Sequence, residues 1–196
     1  MSAAVRTMEG WHRHVGVMVY YTGLRVQQAM SLLWSDVDLE AQTLSIRPEL
    51  GKTPSERRGR ALPISAHLVA ELRTWPRETA WIVPTGRVEG PRHREARARD
   101  AARAWAAAGV RAAVWKGEPW HSFRAGWQTG LLGAGGGWLA TEYYMGHRLP
   151  GTGENYVDPV QALGLVELVK LIPAIEGLHT GWAAELGTRR GFQGKR

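Results

Sequence analysis

Apolar and polar positions change period several times along the chain, and each change predicts an element. Residues 13–21 are apolar on nearly every side, as in a buried helix, and Thr22-Gly23 ends it because glycine takes the left-handed C-terminal conformation at little cost. A second helix is predicted over 25–33. Residues 36–39, 43–47 and 60–64 then alternate with period two, which predicts three strands of a small antiparallel sheet. Pro63 assigns the last of them to an edge. Helical spacing returns at 67–75, closed by Pro76, and Trp81-Ile82-Val83 is a short apolar segment. Within 87–111 an apolar stripe of Ala98, Ala101, Trp105 and Ala108 lies apart from a face bearing Glu95, Arg99 and Arg103. Residues 110–119 form a connector. Helices are predicted over 121–132 and 138–145, separated by the glycine run 133–137. A loop at 149–154 precedes Asp158-Pro159, a good helix start. The following helix, 159–172, carries the stripe Leu165, Leu168, Val169 and Ile172. That stripe suits either the chain's own core or a neighbouring copy. The predicted class is α+β, mostly helical with a small antiparallel three-stranded sheet.

Composition narrows the partners. The chain has 196 residues, enough for one domain with a proper core, and 44% of them are hydrophobic. No run of about 18 apolar residues marks a membrane span, and the stretch before Trp11 does not have the pattern of a signal peptide. With no cysteine, disulfides, thiolate metal sites and cysteine nucleophiles are excluded, which suits a cytoplasmic protein. A net charge of +7 and a pI near 10.2 point to a polyanion. Of the 25 cationic residues 21 are arginine, whose fork holds phosphate in bidentate fashion. The connection 49–59 is too long for a tight hairpin and carries Lys52, Arg57 and Arg58. It is either a solvated loop tip or a finger that reaches DNA. Arg99 and Arg103 suit a solvated helix face or a phosphate backbone. The tail 179–196 is basic and glycine-bearing, as flexible segments are.

Five short pieces carry candidate chemistry. Arg25 opens a helix, where free N–H groups and the dipole favour an anion. Lys52 sits in the long hairpin connection. His121 and Arg124 are three apart on a helix and so share a face. His147 follows Gly146 at a helix end, and Tyr156 comes nine residues later. Each has an ordinary reading as a surface arginine, a solvated lysine or a capping histidine.

Their order is more specific than any one of them. Tyr20-Tyr21-Thr22-Gly23-Leu24-Arg25, Leu32-Leu33-Trp34-Ser35-Asp36-Val37-Asp38, the hairpin lysine, His121-x-x-Arg124, Gly146-His147 and Tyr156 together resemble the catalytic domain of the tyrosine recombinases, phage integrases included. The resemblance runs from about Val17 to the helix after Asp158. It implies that Arg25 and Arg124 hold the scissile phosphate of double-stranded DNA, with His121 and His147 completing its hydrogen-bonding shell. It further implies that Lys52 protonates the leaving 5′ oxygen and that Tyr156 is the nucleophile. A tyrosine hydroxyl, with an ordinary pKa of about 10, needs nearby cations to stabilise its anion. Bidentate arginines stabilise charge on the non-bridging oxygens, so the implied chemistry requires no metal or cofactor.

Two departures stand out. Gln28 takes the position, three after Arg25, where the family usually has an acid. Only about two dozen residues precede Arg25, where family members usually carry a helical DNA-clamping domain. The expected organisation is therefore a catalytic domain over 1–178 and a tail, with weak, salt-dependent DNA binding and poor site selection. Strand cleavage and rejoining is the first functional expectation, with self-association on DNA through 159–172. The alternatives are a recombinase relative that regulates by binding DNA or a partner recombinase, and a type IB topoisomerase-like activity.

Overall fold

The computed structural model describes residues 2–52, 57, 59–84, 100, 103, 119–147, 149 and 159–176. Helix α1 (Ser2–Thr7) leads into α2 (Gly10–Thr22), whose residues from His14 onward are all buried. Gly23 ends α2 with φ 60° and ψ 10°, its N–H donating to Val19 O at 2.9 Å. Helix α3 (Val26–Met30) follows. It stops three residues before the predicted end, because Leu32 and Leu33 are drawn into extended pairing. Leu33 bridges Trp81, and Ile82 N–H donates to Leu32 O at 3.0 Å. The carboxylate of Asp36 accepts from Leu33 N–H at 2.8 Å and opens a 3-10 turn, Trp34–Asp36.

Strands β1 (Val37–Asp38), β2 (Thr43–Ile46) and β3 (Arg60–Pro63) form one antiparallel sheet in the order β1-β2-β3, with Leu44 opposite Leu62 and Ile46 opposite Arg60. Pro63 thus lies on an edge strand, as its missing N–H requires. The predicted strands are each trimmed by one or two residues. Arg47 braces the exit of β2, donating to Asp36 at 3.0 Å and to Ser31 O at 2.8 Å. Helix α4 (Ala66–Thr74) is capped by Ser65, whose hydroxyl accepts from Leu68 N–H at 3.3 Å. Helices α5 (Pro119–Gly133) and α6 (Trp138–Met145) flank the glycine run.

The predicted helix 159–172 is two short ones, α7 (Pro159–Ala162) and α8 (Leu165–Lys170). Gly164, in the left-handed conformation with φ 62°, divides them. Leu165, Leu168, Val169 and Ile172 are buried in the chain's own core, which settles where that stripe goes. Tyr20 and Tyr21 hold the following segment, through Pro173 O at 3.2 Å and Ile175 N–H at 3.1 Å. One hydrophobic cluster runs from Val5 to Ile175. Among the described residues no helix is long and apolar enough to cross a membrane. The stripe at 98–108 apart from Asp100 and Arg103, the tail 179–196, and all but the last residue of the predicted connector 110–119 and all but the first of the predicted loop 149–154 lie outside the described residues; Pro119 already belongs to α5.

His14 is buried in α2, edge-on to Trp75 with ring centroids 4.2 Å apart. Burial, and then the charge of Arg13, lowers its pKa from 6.5 to about 3. The unfolded chain takes up this proton near pH 6.5 and the native one does not, so stability falls as pH drops from 6.5 towards 3. Denaturant titrations should show a loss of roughly 1 kcal/mol per pH unit from this group. His14→Phe should flatten that limb, and an unchanged slope in the variant would refute the assignment.

Candidate active site

The site is built around Arg124. It lies on the core side of α5, with only 7% of its surface exposed. One Nη1 hydrogen goes to Gly23 O at 2.8 Å, while Nη2 donates to Met145 O at 2.5 Å and to His147 Nε2 at 3.2 Å. Both carbonyls stand at helix C-termini, where no intrahelical partner exists and the dipole is negative. Gly23 is required here twice over. Its φ is positive, and a Cβ at this position would lie 2.6 Å from the indole of Trp127 on α5. The close approach of α2 and α5 is what lets Arg124 reach the end of α2.

His147 is the second fixed group. Its Nδ1 is 2.8 Å from Glu142 Oε2, and Gln128 Nε2 donates to the other oxygen of that carboxylate. An arginine has donors only. His147 Nε2 must therefore present its lone pair to Arg124, and Nδ1 carries the hydrogen given to Glu142. Gly146, with φ 78°, turns the chain out of α6 so that the imidazole can make both contacts.

Two more guanidiniums share the neighbourhood. Arg25 is the N-cap of α3, and its N–H donates to Gln28 Oε1 at 3.2 Å. Arg60, on β3, donates to Tyr144 O at 3.4 Å. Burial lowers the pKa of Arg124 to about 9, and the charges of Arg25 and Arg60 add to the shift, against Glu142. Arg60 falls to about 10, again mostly by burial, with Tyr143 and Tyr144 opposing and Arg25 adding. Burial lowers Arg25 as well. Cations held this close in a poorly hydrated setting create a strong demand for an anion.

Arg124 and His147 are thus bonded to one another, with Arg25 in their electrostatic neighbourhood. His121 lies on α5, three residues before Arg124. Lys52 is exposed in the β2–β3 connection, directly after Gly51. That connection is tied to the site, because Gln28 Nε2 donates to Leu50 O at 3.1 Å. Arg57 is exposed, and its Nε donates to Gly51 O at 3.3 Å across the Lys52 segment. Arg103 is 80% exposed and 3.3 Å from Asp100, in the manner of a solvated helical pair. Tyr156, Arg58 and Arg99 lie outside the described residues. Among the described residues no group of three metal-ligating side chains occurs.

Arg60, Glu142 and Gln128 were not among the predicted site residues. Arg60 had a signal: it is in phase with buried Leu62 on β3, and so on the inner face of a half-buried strand. Glu142 had none, because its distance from His147 matters only once Gly146 has turned the chain.

The phage integrase family model matches residues 1–162. The chain belongs to the phage integrase family. The integrase-family chain is 27% identical over 146 residues to a putative integrase/recombinase, y4qK, of Sinorhizobium fredii, covering 74% of this chain and 46% of that protein. It is 32% identical over 68 residues to the tyrosine recombinase XerC of Xanthomonas campestris, covering 35% of this chain and 19% of that one. The chain therefore spans about half or less of the length of these curated relatives. Among solved structures, the integrase of mycobacterium phage Brujita superposes with a TM-score of 0.63 at 20% identity, covering 87% of this chain and 55% of that one. A XerA recombinase gives 0.53 at 17%, covering 98% and 61%. These likenesses establish the fold: the mostly helical domain with a small three-stranded antiparallel sheet of the tyrosine recombinase catalytic domain.

The tautomer of His147 is directly measurable. Nitrogen-15 NMR of the neutral ring should show hydrogen on Nδ1 in the native protein, and Glu142→Ala should shift the population towards Nε2–H. A native ring carrying its hydrogen on Nε2 would mean that Arg124 and His147 are not bonded as described.

Proposed function

We propose that this chain cleaves and rejoins DNA strands through Tyr156, as the catalytic domain of a tyrosine recombinase spanning residues 1–178. The observation that carries the reading is the single guanidinium of Arg124, bonded at once to the Gly23 end of the Thr22-Gly23-Leu24-Arg25 motif and to His147. Three separate motifs of the family meet at that group.

In the proposed reaction Arg25 and Arg124 hold the non-bridging oxygens of one phosphodiester. Counting five N–H donors on a guanidinium, Arg124 has three committed to Gly23, Met145 and His147, which leaves two for the phosphate. The Tyr156 hydroxyl oxygen attacks phosphorus, forming a 3′-phosphotyrosyl bond, and the bond from phosphorus to the 5′ oxygen breaks. Lys52 gives the departing oxygen its proton, while the tyrosine proton passes to a basic group of the site or to water. His121 adds a hydrogen bond to a phosphate oxygen, while His147, expected from the motif to do the same, has both ring nitrogens engaged and acts by holding Arg124 in place. Charge that grows on those oxygens is met by groups already fixed in position, and loss of one such group typically lowers the rate about 10²–10³-fold. The ester keeps the bond energy, so a 5′ hydroxyl of a second strand reverses the step and completes exchange. Arg57, Arg58, Arg99 and Arg103 are proposed to follow the flanking phosphates, each contact adding to the salt dependence of binding. Self-association on DNA is proposed as well, through exposed positions of the 159–172 segment such as Val166, since its apolar stripe is used internally.

A nicked suicide duplex tests the nucleophile. The wild-type protein should form a covalent adduct that Tyr156→Phe does not, and an adduct surviving the substitution would move the nucleophile elsewhere. Lys52→Ala should slow cleavage about 10²-fold or more. A substrate with a 5′ sulfur leaving group, which needs no proton, should restore most of the rate. No restoration would remove the acid role from Lys52.

A further inference from the structure

Arg60 stands in an unusual position for a charged residue. It shares the inner face of β3 with Leu62, which is fully buried. Its Nη2 donates to Tyr144 O. Its Nε and Nη1 are buried and hydrogen-bond to nothing among the described residues. The guanidinium lies against the backbone of Gly146: a Cβ there would come within 2.7 Å of Cζ and Nη1. Arg60 therefore flanks the peptide that leads into His147, beside the two carbonyls that end α6.

Buried guanidinium hydrogens without acceptors destabilise a fold. Here they sit within electrostatic reach of Arg25 and Arg124, so repulsion adds to desolvation. Two local roles explain part of this. A cation at the end of α6 complements the helix dipole, and an inward charge on an edge strand discourages pairing with other strands. Neither role needs Nε and Nη1, and a lysine would perform both. An oxyanion between the three guanidiniums would take one of those donors and relieve the repulsion.

We propose that Arg60 is a third binding arginine for the phosphate that Arg25 and Arg124 hold, donating to one of its oxygens from Nε or from Nη1. The role rests on the reading of this cluster as a DNA phosphate site. It also answers a shortage there, since Arg124 has both Nη2 hydrogens committed to Met145 and His147. With that nitrogen occupied, a further arginine supplies donors that Arg124 withholds.

The test separates an anion ligand from a scaffold group. Thermal unfolding is followed in inorganic phosphate and in chloride at equal ionic strength, for the wild type, Arg60→Lys, Arg60→Gln and the surface control Arg73→Gln. Phosphate should raise Tm in the wild type and in the control. Arg60→Lys should lose at least about half of that rise, because a flexible ammonium does not place its donors where the planar guanidinium does, and Arg60→Gln should lose most of it. An equal rise in wild type and Arg60→Lys, or none in the wild type, overturns the proposal. Should Arg60→Gln not fold, the lysine variant decides.

On DNA, Arg60→Lys should reduce adduct formation about tenfold or more at a phosphodiester. At a neutral methylphosphonate in the same position its loss should be much smaller. Equal losses on both substrates would make Arg60 a support for α6 only. Absence of any adduct with the wild-type protein would instead sink the cleavage reading and leave the phosphate measurement to stand or fall by itself.

Discussion

The structure depends on one buried guanidinium. Arg124 reaches back 101 residues to Gly23 and forward 21 and 23 residues to Met145 and His147. It joins the C-terminal ends of α2 and α6 through carbonyls that helices cannot satisfy themselves. Hydrogen bonds to a charged group contribute about 1.5–3 kcal/mol each, so this side chain is a structural tie as well as a cation. The two roles are coupled, because the bonds that fix Arg124 also settle which of its hydrogens remain for an anion. The same bonds fix the lone pair of His147 on the Arg124 side and its hydrogen on the Glu142 side.

Holding cations inside a protein has a known liability. Burial lowers the pKa of all three arginines, and for Arg124 and Arg60 neighbouring guanidiniums add to the effect. The helix ends offset part of this, since Tyr144 O and Met145 O each accept from one of them. Glu142 offsets a little more at Arg124. What is left over is positive potential arranged before any ligand arrives. A cluster prepared in that way meets the charge of a bound anion without reorganisation.

Much of the scaffold was legible because it follows local rules. Glycine at 23 and 146 and proline at 63 act through backbone geometry that one residue determines. The failures were non-local. Helix α3 ends at Met30 because Leu32 and Leu33 pair with a segment near Trp81, some fifty residues on, and no local period announces that contact. Gly164 was visible, but only packing against α6 and β3 decided that α8 should turn there and face inward. Arg25, Arg124 and His147 were singled out by the order of their motifs, and the structure places Arg124 against His147. Arg60 had only its phase with Leu62 as a signal, and a charge on a short edge strand is ordinarily solvated.

Gln28 shows how a departure from a family pattern is resolved by donor chemistry. Its carbonyl oxygen accepts from Arg25 N–H, and its amide nitrogen donates to Leu50 O. An ionised carboxylate at this position could make the first bond but not the second, since it has no hydrogen to give. The amide gives up a negative charge beside Arg25 and gains a link to the connection that carries Lys52. That exchange raises the positive potential of the arginine cluster while holding the base of the lysine-bearing segment against α3. Gln28 therefore couples the two segments that carry Arg25 and Lys52, 27 residues apart in the chain, through one side chain that is itself 3% exposed.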